Sequence, residues 1–373
     1  MSKEYTALGL MSGTSGDGVD ASIIKSDGRS NYDVIIDRYF EYESEIYNNI
    51  HDLKKKINNS NDLKIHLNDL KSLEKKITLF HAQVIKEVTK SQDIDLVGFH
   101  GQTIYHNSKE KISRQLGDGN LLFQLIKKNI VFNFRENDLK NGGEGAPLTP
   151  IFHHLVLKQK EISLPACILN IGGISNLTIV NKEDLSEMSS RDIGPGNCLI
   201  DLWLRSNSKK KFDKNGEIAS RGNINEIILE QAQELYSNRS NKENLSLDVN
   251  DFDVSFARGL SLEDGVSTLT EFTSRIIAES LLNYIPDIEK KKWTILISGG
   301  GRKNQFLIDR IKQKTTKNIT IKSIDDHGLN GDFVESQAFA YLAIRSYIGE
   351  IISFPKTTGC LKPCSGGQII KVT

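Results

Sequence analysis

A chain of 373 residues is longer than one hydrophobic core usually serves, so two domains are expected. Its 38% hydrophobic and 26% charged residues match an ordinary soluble protein, and 48 basic residues balance 48 acidic ones. That balance argues against a nucleic-acid or membrane surface, the run Lys209, Lys210 and Lys211 reading as a solvated loop or helix end.

The first predicted element, residues 7–24 (ALGLMSGTSGDGVDASII), places an apolar strand, a glycine-rich turn and a second strand in succession. Gly13, Gly16 and Gly18 alternate with Ser12, Thr14 and Ser15, so N–H groups and hydroxyls can close around an anion without Cβ collisions. Asp17 lies inside that turn. A carboxylate there makes sense when Mg²⁺ accompanies a phosphate, because Mg²⁺ takes oxygen ligands from protein and phosphate together. A tight hairpin with ordinary turn residues is the competing reading.

Residues 32–45 continue the meander with period-two alternation, and residues 47–90 switch to helical spacing at Ile50, Leu53, Ile57, Leu70, Leu73, Ile77 and Val84. Next, DLVGFHGQTIYH reads as a strand running into a polar loop, with His100 and Gln102 as candidate readers of sugar hydroxyls. After a turn at residues 117–120, a helix and the strand VFNF comes a glycine-rich loop preceded by Arg135. Its planar guanidinium is a natural clamp for a carboxylate or phosphate, unless it only pairs with Asp138.

At residues 166–180 (ACILNIGGISNLTIV) the opening pattern returns, with Gly172 and Gly173 in the turn. Two such hairpins about 160 residues apart are the mark of an internally duplicated fold, and they favour the anion cradle over the plain hairpin. RDIGPGNCLIDLW then offers Asp192, held by a Gly-Pro-Gly turn with Asn197 as a supporting side chain, and Asp201 as a rival base. Residues 204–260 are polar and read as exposed helices and loops, 262–285 as a strong amphipathic helix, and 322–332 as loop. Between the last two, a strand ends in Gly299, Gly300 and Gly301, followed by Asn304 at a helix start. Glu335 opens the helix VESQAFAYLAIRSYI.

No apolar run reaches the ~18 residues of a membrane span, and no basic-then-apolar leader is visible, so a cytoplasmic location with reduced thiols is expected. Cys360 and Cys364 make half a zinc ligand set, and no matching Cys/His pair follows them.

The motifs GLMSGTSGDGVDA, GFHGQTIYH, NFRENDLKNGGEGAPLTPIFH, LNIGGISNLT, DIGPGNCLIDLW, SGGGRKN and VESQAFAYLA resemble, in order from residue 7 to about 345, the anhydro-N-acetylmuramic acid kinases of the sugar kinase, heat-shock chaperone and actin superfamily. The resemblance implies an α/β, two-lobed, duplicated ribonuclease-H-like fold with a nucleotide cleft between lobes. Residues 1–160 would form one lobe, with 340–373 packing back on it, and 161–340 the other. It also implies the reaction: ATP phosphorylates the 6-oxygen of the 1,6-anhydro sugar while water opens the anhydro bridge, in cell-wall recycling.

By motif matching the catalytic base falls on Asp192. Ser12, Gly13, Thr14, Ser15, Gly16, Asp17, Gly18 and Val19 would wrap the β- and γ-phosphates, with Asp17 on Mg²⁺ directly or through water. Gly172 and Gly173 would meet the phosphates from the other side, and Gly299, Gly300, Gly301 and Asn304 the adenosine. His100, Gln102, Arg135, Asn197 and Glu335 would serve the sugar, and a homodimer is implied. Two departures stand out: Asn133 replaces the aspartate usual before Phe-Arg, and the tail from Thr357 onward loses the family pattern after Gly359. A kinase for another anhydro sugar, such as levoglucosan, and an actin-fold phosphohydrolase are the alternatives.

Overall fold

A computed structural model of the protein describes residues 3–239, 247 and 249–372. The chain divides into two compact units, Met1–Glu161 with Phe333–Thr373, and Ile162–Asp332. The first unit opens with β1 (Tyr5–Ser12), β2 (Gly18–Ser26) and β3 (Tyr32–Glu41), then α1 (Ser44–Lys56), α2 (Asp62–Ile65) and α3 (Leu67–Val88). It continues through β4 (Leu96–Asn107), β5 (Ile112–Leu116), α4 (Gly119–Ile126), β6 (Asn129–Phe132), α5 (Glu136–Lys140) and α6 (Pro150–Gln159). The second unit holds β7 (Ala166–Ile171), β8 (Ile174–Val180), β9 (Ser189–Pro195), α7 (Cys198–Asn207), α8 (Glu226–Arg239), α9 (Leu262–Tyr284), β10 (Trp293–Ser298), α10 (Gln305–Lys314) and β11 (Ile319–Ser323). The chain then returns to the first unit with α11 (Val334–Tyr347), α12 (Pro355–Thr358) and β12 (Gln368–Ile370).

The two sheets repeat one topology. In the first unit the strands run β3-β2-β1-β4-β6, and in the second β9-β8-β7-β10-β11. In each, the first three strands in sequence form an antiparallel meander, while the next two central strands lie parallel to the first. This is the ribonuclease-H-like arrangement, present twice, and it places the β1–β2 and β7–β8 turns at equivalent positions.

Period-two alternation explains how β1 is sandwiched. Leu8 and Leu10 face a core shared with Ile46, Ile50 and Leu53 of α1 and Leu70, Leu73 and Ile77 of α3. Gly9 faces the other way, against α11. A Cβ there would fall 2.0 Å from the Ser336 carbonyl oxygen, and one at Gly98 of β4 would fall 2.4 Å from that of Phe339. Two glycines on neighbouring strands thus let the α11 backbone lie directly on the sheet. The second unit ends at Asp332 and not at the expected residue 340, because α11 lies on β1 and β4 of the first unit.

Three further expectations change. GFHGQTIYH is not a strand ending in a loop: β4 runs on to Asn107 and pairs with β5, with Gly101 at φ 75° and its α-carbon too close to Leu116 for a side chain. Residues 204–260 are not merely exposed. Ile218, Ala219, Leu229, Ala232 and Ala257 join Trp203, Val266 and Leu269 in a core of their own, and residues 240–246 and 248 of that stretch lie outside the described residues. Part of the expected loop at 322–332 is a single helical turn, Ile324–His327. Among the described residues no helix is long and apolar enough to cross a membrane.

Candidate active site

In the first unit, β1 and β2 pair as far as Met11↔Asp20, and the turn between them closes with Gly16 N–H donating to the Gly13 carbonyl at 3.1 Å. Neighbours brace this turn from outside. Gln102 Nε2 donates to Gly13 O at 3.0 Å, Lys54 Nζ to Thr14 O at 2.6 Å, and Tyr42 N–H to Asp17 O at 2.9 Å.

The glycines of the turn divide into two kinds. At Gly18 a Cβ would sit 2.3 Å from the Phe40 carbonyl oxygen, so packing forbids a side chain, while Gly16 is disfavoured for one by its φ of 68° and by Ile50 Cγ2 at 3.0 Å. At Gly13 nothing comes nearer than Ser15 Oγ at 3.9 Å. Its missing side chain leaves open space, which suits a ligand approaching the backbone. Thr14 and Ser15 are exposed and Asp17 partly so. Two expected cradle residues turn inward instead: Val19 is 0% exposed in the core, and the buried Ser12 hydroxyl bonds Tyr42 Oη at 2.8 Å. The reason is strand alternation, which fixes the direction of both side chains where the ladder begins and ends.

The second unit repeats the design. Gly172 N–H donates to Ile174 O at 3.1 Å, and a Cβ on Gly172 would meet nothing nearer than 3.5 Å. The turn after β9 is locked onto it: Gly196 and Cys198 N–H donate to Gly173 O at 2.9 and 3.2 Å, and Asn197 N–H to Gly172 O at 2.8 Å. Gly196 has no room for a side chain, since a Cβ would lie 2.3 Å from Gly172 O.

Asp192 lies on β9 opposite Asn176, where the β8–β9 register slips by one residue between Ser175 and Asn176. Such a bulge re-aims the side chains beside it. The Asp192 carboxylate is partly exposed, and its Oδ2 accepts the Leu247 N–H at 2.7 Å. Asn176, which the sequence reading passed over, carries a buried Oδ1 with no hydrogen-bond partner among the described residues. Its register opposite Asp192 is the signal that only strand pairing supplies. The rival base, Asp201, sits in the first turn of α7 on a helix held by its N–H bond to Asn197 O at 2.8 Å.

At the end of β10 the glycines again differ. Gly299 (φ 77°) and Gly301 abut Asn170 and Ile171, whereas a Cβ on Gly300 would meet only Asn197 Nδ2, at 3.9 Å. Arg302 clamps this turn, donating to Gly299 O at 3.0 Å, Asp325 Oδ2 at 2.7 Å and Asp332 Oδ1 at 2.6 Å. Asn304 departs from its expected role as an adenosine contact. It is 5% exposed, and its Oδ1 caps α10 by accepting the Leu307 N–H at 3.0 Å.

Of the residues expected to serve the sugar, His100, Gln102, Arg135 and Glu335 lie in the first unit and Asn197 in the second. Arg135 donates from Nη1 to Gly145 O at 2.8 Å and from Nη2 to His100 Nε2 at 2.9 Å. A guanidinium cannot accept, so Nε2 must, which puts the imidazole proton on Nδ1, where it donates to Gly101 O at 2.8 Å. Burial first and the Arg135 charge second hold His100 well below its ordinary pKa, so it is neutral. With both nitrogens engaged, His100 orients Arg135 rather than reading a hydroxyl itself. Glu335, at the start of α11, is raised by burial and pulled back by Arg135. Gln102 is 0% exposed, and its Oε1 has no partner among the described residues. Asp138, considered only as a partner for Arg135, instead accepts the Gly145 N–H at 2.7 Å and so holds the carbonyl-bearing residue that Arg135 uses. Asn133 stands at φ 53°, a left-handed conformation that Asn tolerates as Asp does.

A profile of the family described as anhydro-N-acetylmuramic acid kinase matches residues 5–372. A relative of that name from Pelagibacter ubique (strain HTCC1062) is 55% identical over 373 residues, covering 100% of both chains. One from Zymomonas mobilis subsp. mobilis is 35% identical over 97% of this chain and 99% of its own, and one from Agrobacterium fabrum 34% identical over 100% of both. Among solved structures, a ROK family glucokinase from Streptomyces griseus aligns over 91% of this chain and 99% of its own with 10% identity and a TM-score of 0.42, a loose likeness.

Proposed function

The chain belongs to the anhydro-N-acetylmuramic acid kinase family, and from that premise we infer how its residues share the work. It is an ATP-dependent sugar kinase acting in peptidoglycan recycling. Water adds to the anomeric carbon of 1,6-anhydro-N-acetylmuramic acid, the bond from that carbon to the 6-oxygen breaks, and the 6-oxygen takes the γ-phosphoryl group as ADP leaves. Asp192 accepts the proton that the attacking water loses. Because phosphorus captures the departing oxygen, no second carboxyl has to protonate it, unlike ordinary inverting glycoside cleavage.

The observation that supports the nucleotide side is the pair of glycines, Gly13 and Gly172, whose missing side chains no packing neighbour requires. They stand in equivalent turns of a duplicated fold, where open backbone suits the close approach of phosphate oxygens. Gly300 is open in the same way and is assigned to the adenosine. Thr14, Ser15 and Asp17 complete the first cradle, and Asp17 is the residue we assign to Mg²⁺, directly or through water. When bound, the ion neutralises phosphate charge.

For the sugar, Arg135 supplies a fixed cation for the lactyl carboxylate, held in orientation by neutral His100 and the Gly145 carbonyl. The unsatisfied Oε1 of Gln102 is an acceptor waiting for a hydroxyl. Glu335 lies in the electrostatic field of the same guanidinium, and Asn197 supports the turn after Asp192.

The test is Asp192→Asn, which keeps the shape and removes the base. Turnover should fall about 10²–10⁴-fold with ATP affinity nearly unchanged. Activity retained within a few-fold would move the base to Asp201. A homodimer and a cytoplasmic location belong to the same proposal on family likeness; light scattering that gives a monomer mass at micromolar concentration would remove the dimer.

A further inference from the structure

We propose that Asp138, Cys360 and Cys364 form a binding site for a thiophilic divalent cation of the zinc class. The carboxylate and both thiols present ligand atoms that all lie within 4.8 Å of one another. Around a single zinc, with Zn–S about 2.3 Å and Zn–O about 2.0–2.2 Å, ligand atoms stand about 3.3–3.8 Å apart, so side-chain rotations of roughly an ångström close the site. Two sulfurs with one oxygen select zinc-like ions over Mg²⁺ or Ca²⁺, which take oxygen. Each thiol gives its proton to solvent as its sulfur coordinates, and a water completes the tetrahedron.

The site is built rather than accidental. Asp138 is 1% and Cys360 2% exposed, and Cys364 is partly buried. The carboxylate is oriented by the Gly145 N–H at 2.7 Å and the Thr358 hydroxyl at 2.5 Å, the supporting bonds that ligating carboxylates commonly have. Gly359 (φ 73°) turns the chain straight after Thr358, bringing Cys360 back toward Asp138. Cys364 is fixed by backbone bonds with Ser353 in both directions, each 3.1 Å, and Leu361 N–H donates to Asn141 O at 2.9 Å. The Ser353 side chain, 1% exposed beside Cys364, interacts with its sulfur and so helps to fix the second thiol. A cation here would pin the tail to the loop whose Gly145 carbonyl receives Arg135.

The test uses the full chain, purified under reducing conditions and stripped of metal. Zn²⁺ is titrated against a chromophoric chelator, and Co²⁺ is added separately and followed by absorption. One Zn²⁺ should bind per chain, and Co²⁺ should develop a thiolate-to-cobalt charge-transfer band with the intense visible bands of a tetrahedral site. Cys364→Ser, at a partly exposed position that should fold, is expected to lose roughly 100-fold or more in Zn²⁺ affinity and to abolish that band, while its metal-free circular dichroism stays that of the parent. Asp138→Asn should weaken Zn²⁺ while keeping the cobalt–thiolate band. Zn²⁺ affinity that is unchanged in Cys364→Ser, or absence of the charge-transfer band in the reduced parent, overturns the proposal. So does a Cys360–Cys364 disulfide that forms readily while the reduced protein takes up no metal.

Discussion

A glycine kept for a ligand and a glycine kept for packing respond oppositely to the same methyl group, and Gly172 and Gly196 make the comparison across two turns that are bonded together. In Gly172→Ala the new Cβ meets nothing nearer than the Ile174 carbonyl oxygen at 3.5 Å, ordinary contact, and the residue's φ is not in the left-handed region. Folding should therefore be unharmed, and the smaller conformational freedom of the unfolded chain should add about 0.4–1 kcal/mol of stability. The methyl then occupies the space assigned to phosphate oxygens. Losing one charge-assisted N–H bond costs about 1.5–3 kcal/mol, so KM for ATP should rise roughly 10- to 150-fold. In Gly196→Ala the Cβ would fall 2.3 Å from the Gly172 carbonyl oxygen, a backbone atom that cannot yield, so stability should drop by about 1–3 kcal/mol or more. The assay is thermal unfolding of both variants beside steady-state kinetics with ATP varied at saturating sugar. A lowered Tm in Gly172→Ala, or an unchanged KM for ATP, would refute the idea that this glycine is reserved for phosphate.

His100→Ala removes the acceptor that orients Arg135, so KM for the anhydro sugar should rise several-fold or more while KM for ATP holds; a larger shift for ATP would place Arg135 elsewhere in the reaction. Acid stability follows from the fully buried imidazoles: burial lowers His81 to about 4 and His153 to about 3. Their folded pKa values lie below the unfolded value, so the unfolded chain binds more protons below pH about 6.5 and stability is lost as pH falls from there toward 4. Each contributes a slope of up to about 1.4 kcal/mol per pH unit. Urea unfolding at a series of pH values should show this loss, and Phe in place of His153 should flatten it; a stability that is level between pH 6.5 and 4 would contradict the burial argument.

Much of the molecule was legible in residue patterns because local chemistry forces it. Alternating apolar residues around Gly13 and again around Gly172 require strand, turn and strand, since only that geometry buries one face and frees the turn. The stripe Ile50, Leu53, Leu70, Leu73 and Ile77 requires helices over the sheet. Asp192, just before a Gly-Pro-Gly turn, and Arg135, before a glycine-rich loop, could be named for the same reason, as chemistry-bearing side chains beside unusual backbone.

What pairing and packing decided could not be read along the chain. Period-two alternation cannot say which neighbour a strand will take, so the extension of β4 to Asn107 against β5 and the addition of β12 to β6 came only with the sheet. Inward or outward direction at a strand's end depends on register, which is why Ser12 and Val19 turned to the core. Asn304 looked like a ligand contact because it follows three glycines, and it became a helix cap because α10 begins there and its first N–H groups need an acceptor. Gly9 and Gly98 had no visible purpose until α11, more than 200 residues away in sequence, was found lying against both. Residue identity determined the local turns and faces of this protein; the neighbours of His100, Asn176, Asp138 and the tail cysteines were decided only when distant segments met, because a hydrogen bond or a cluster of side chains exists between residues and not within one.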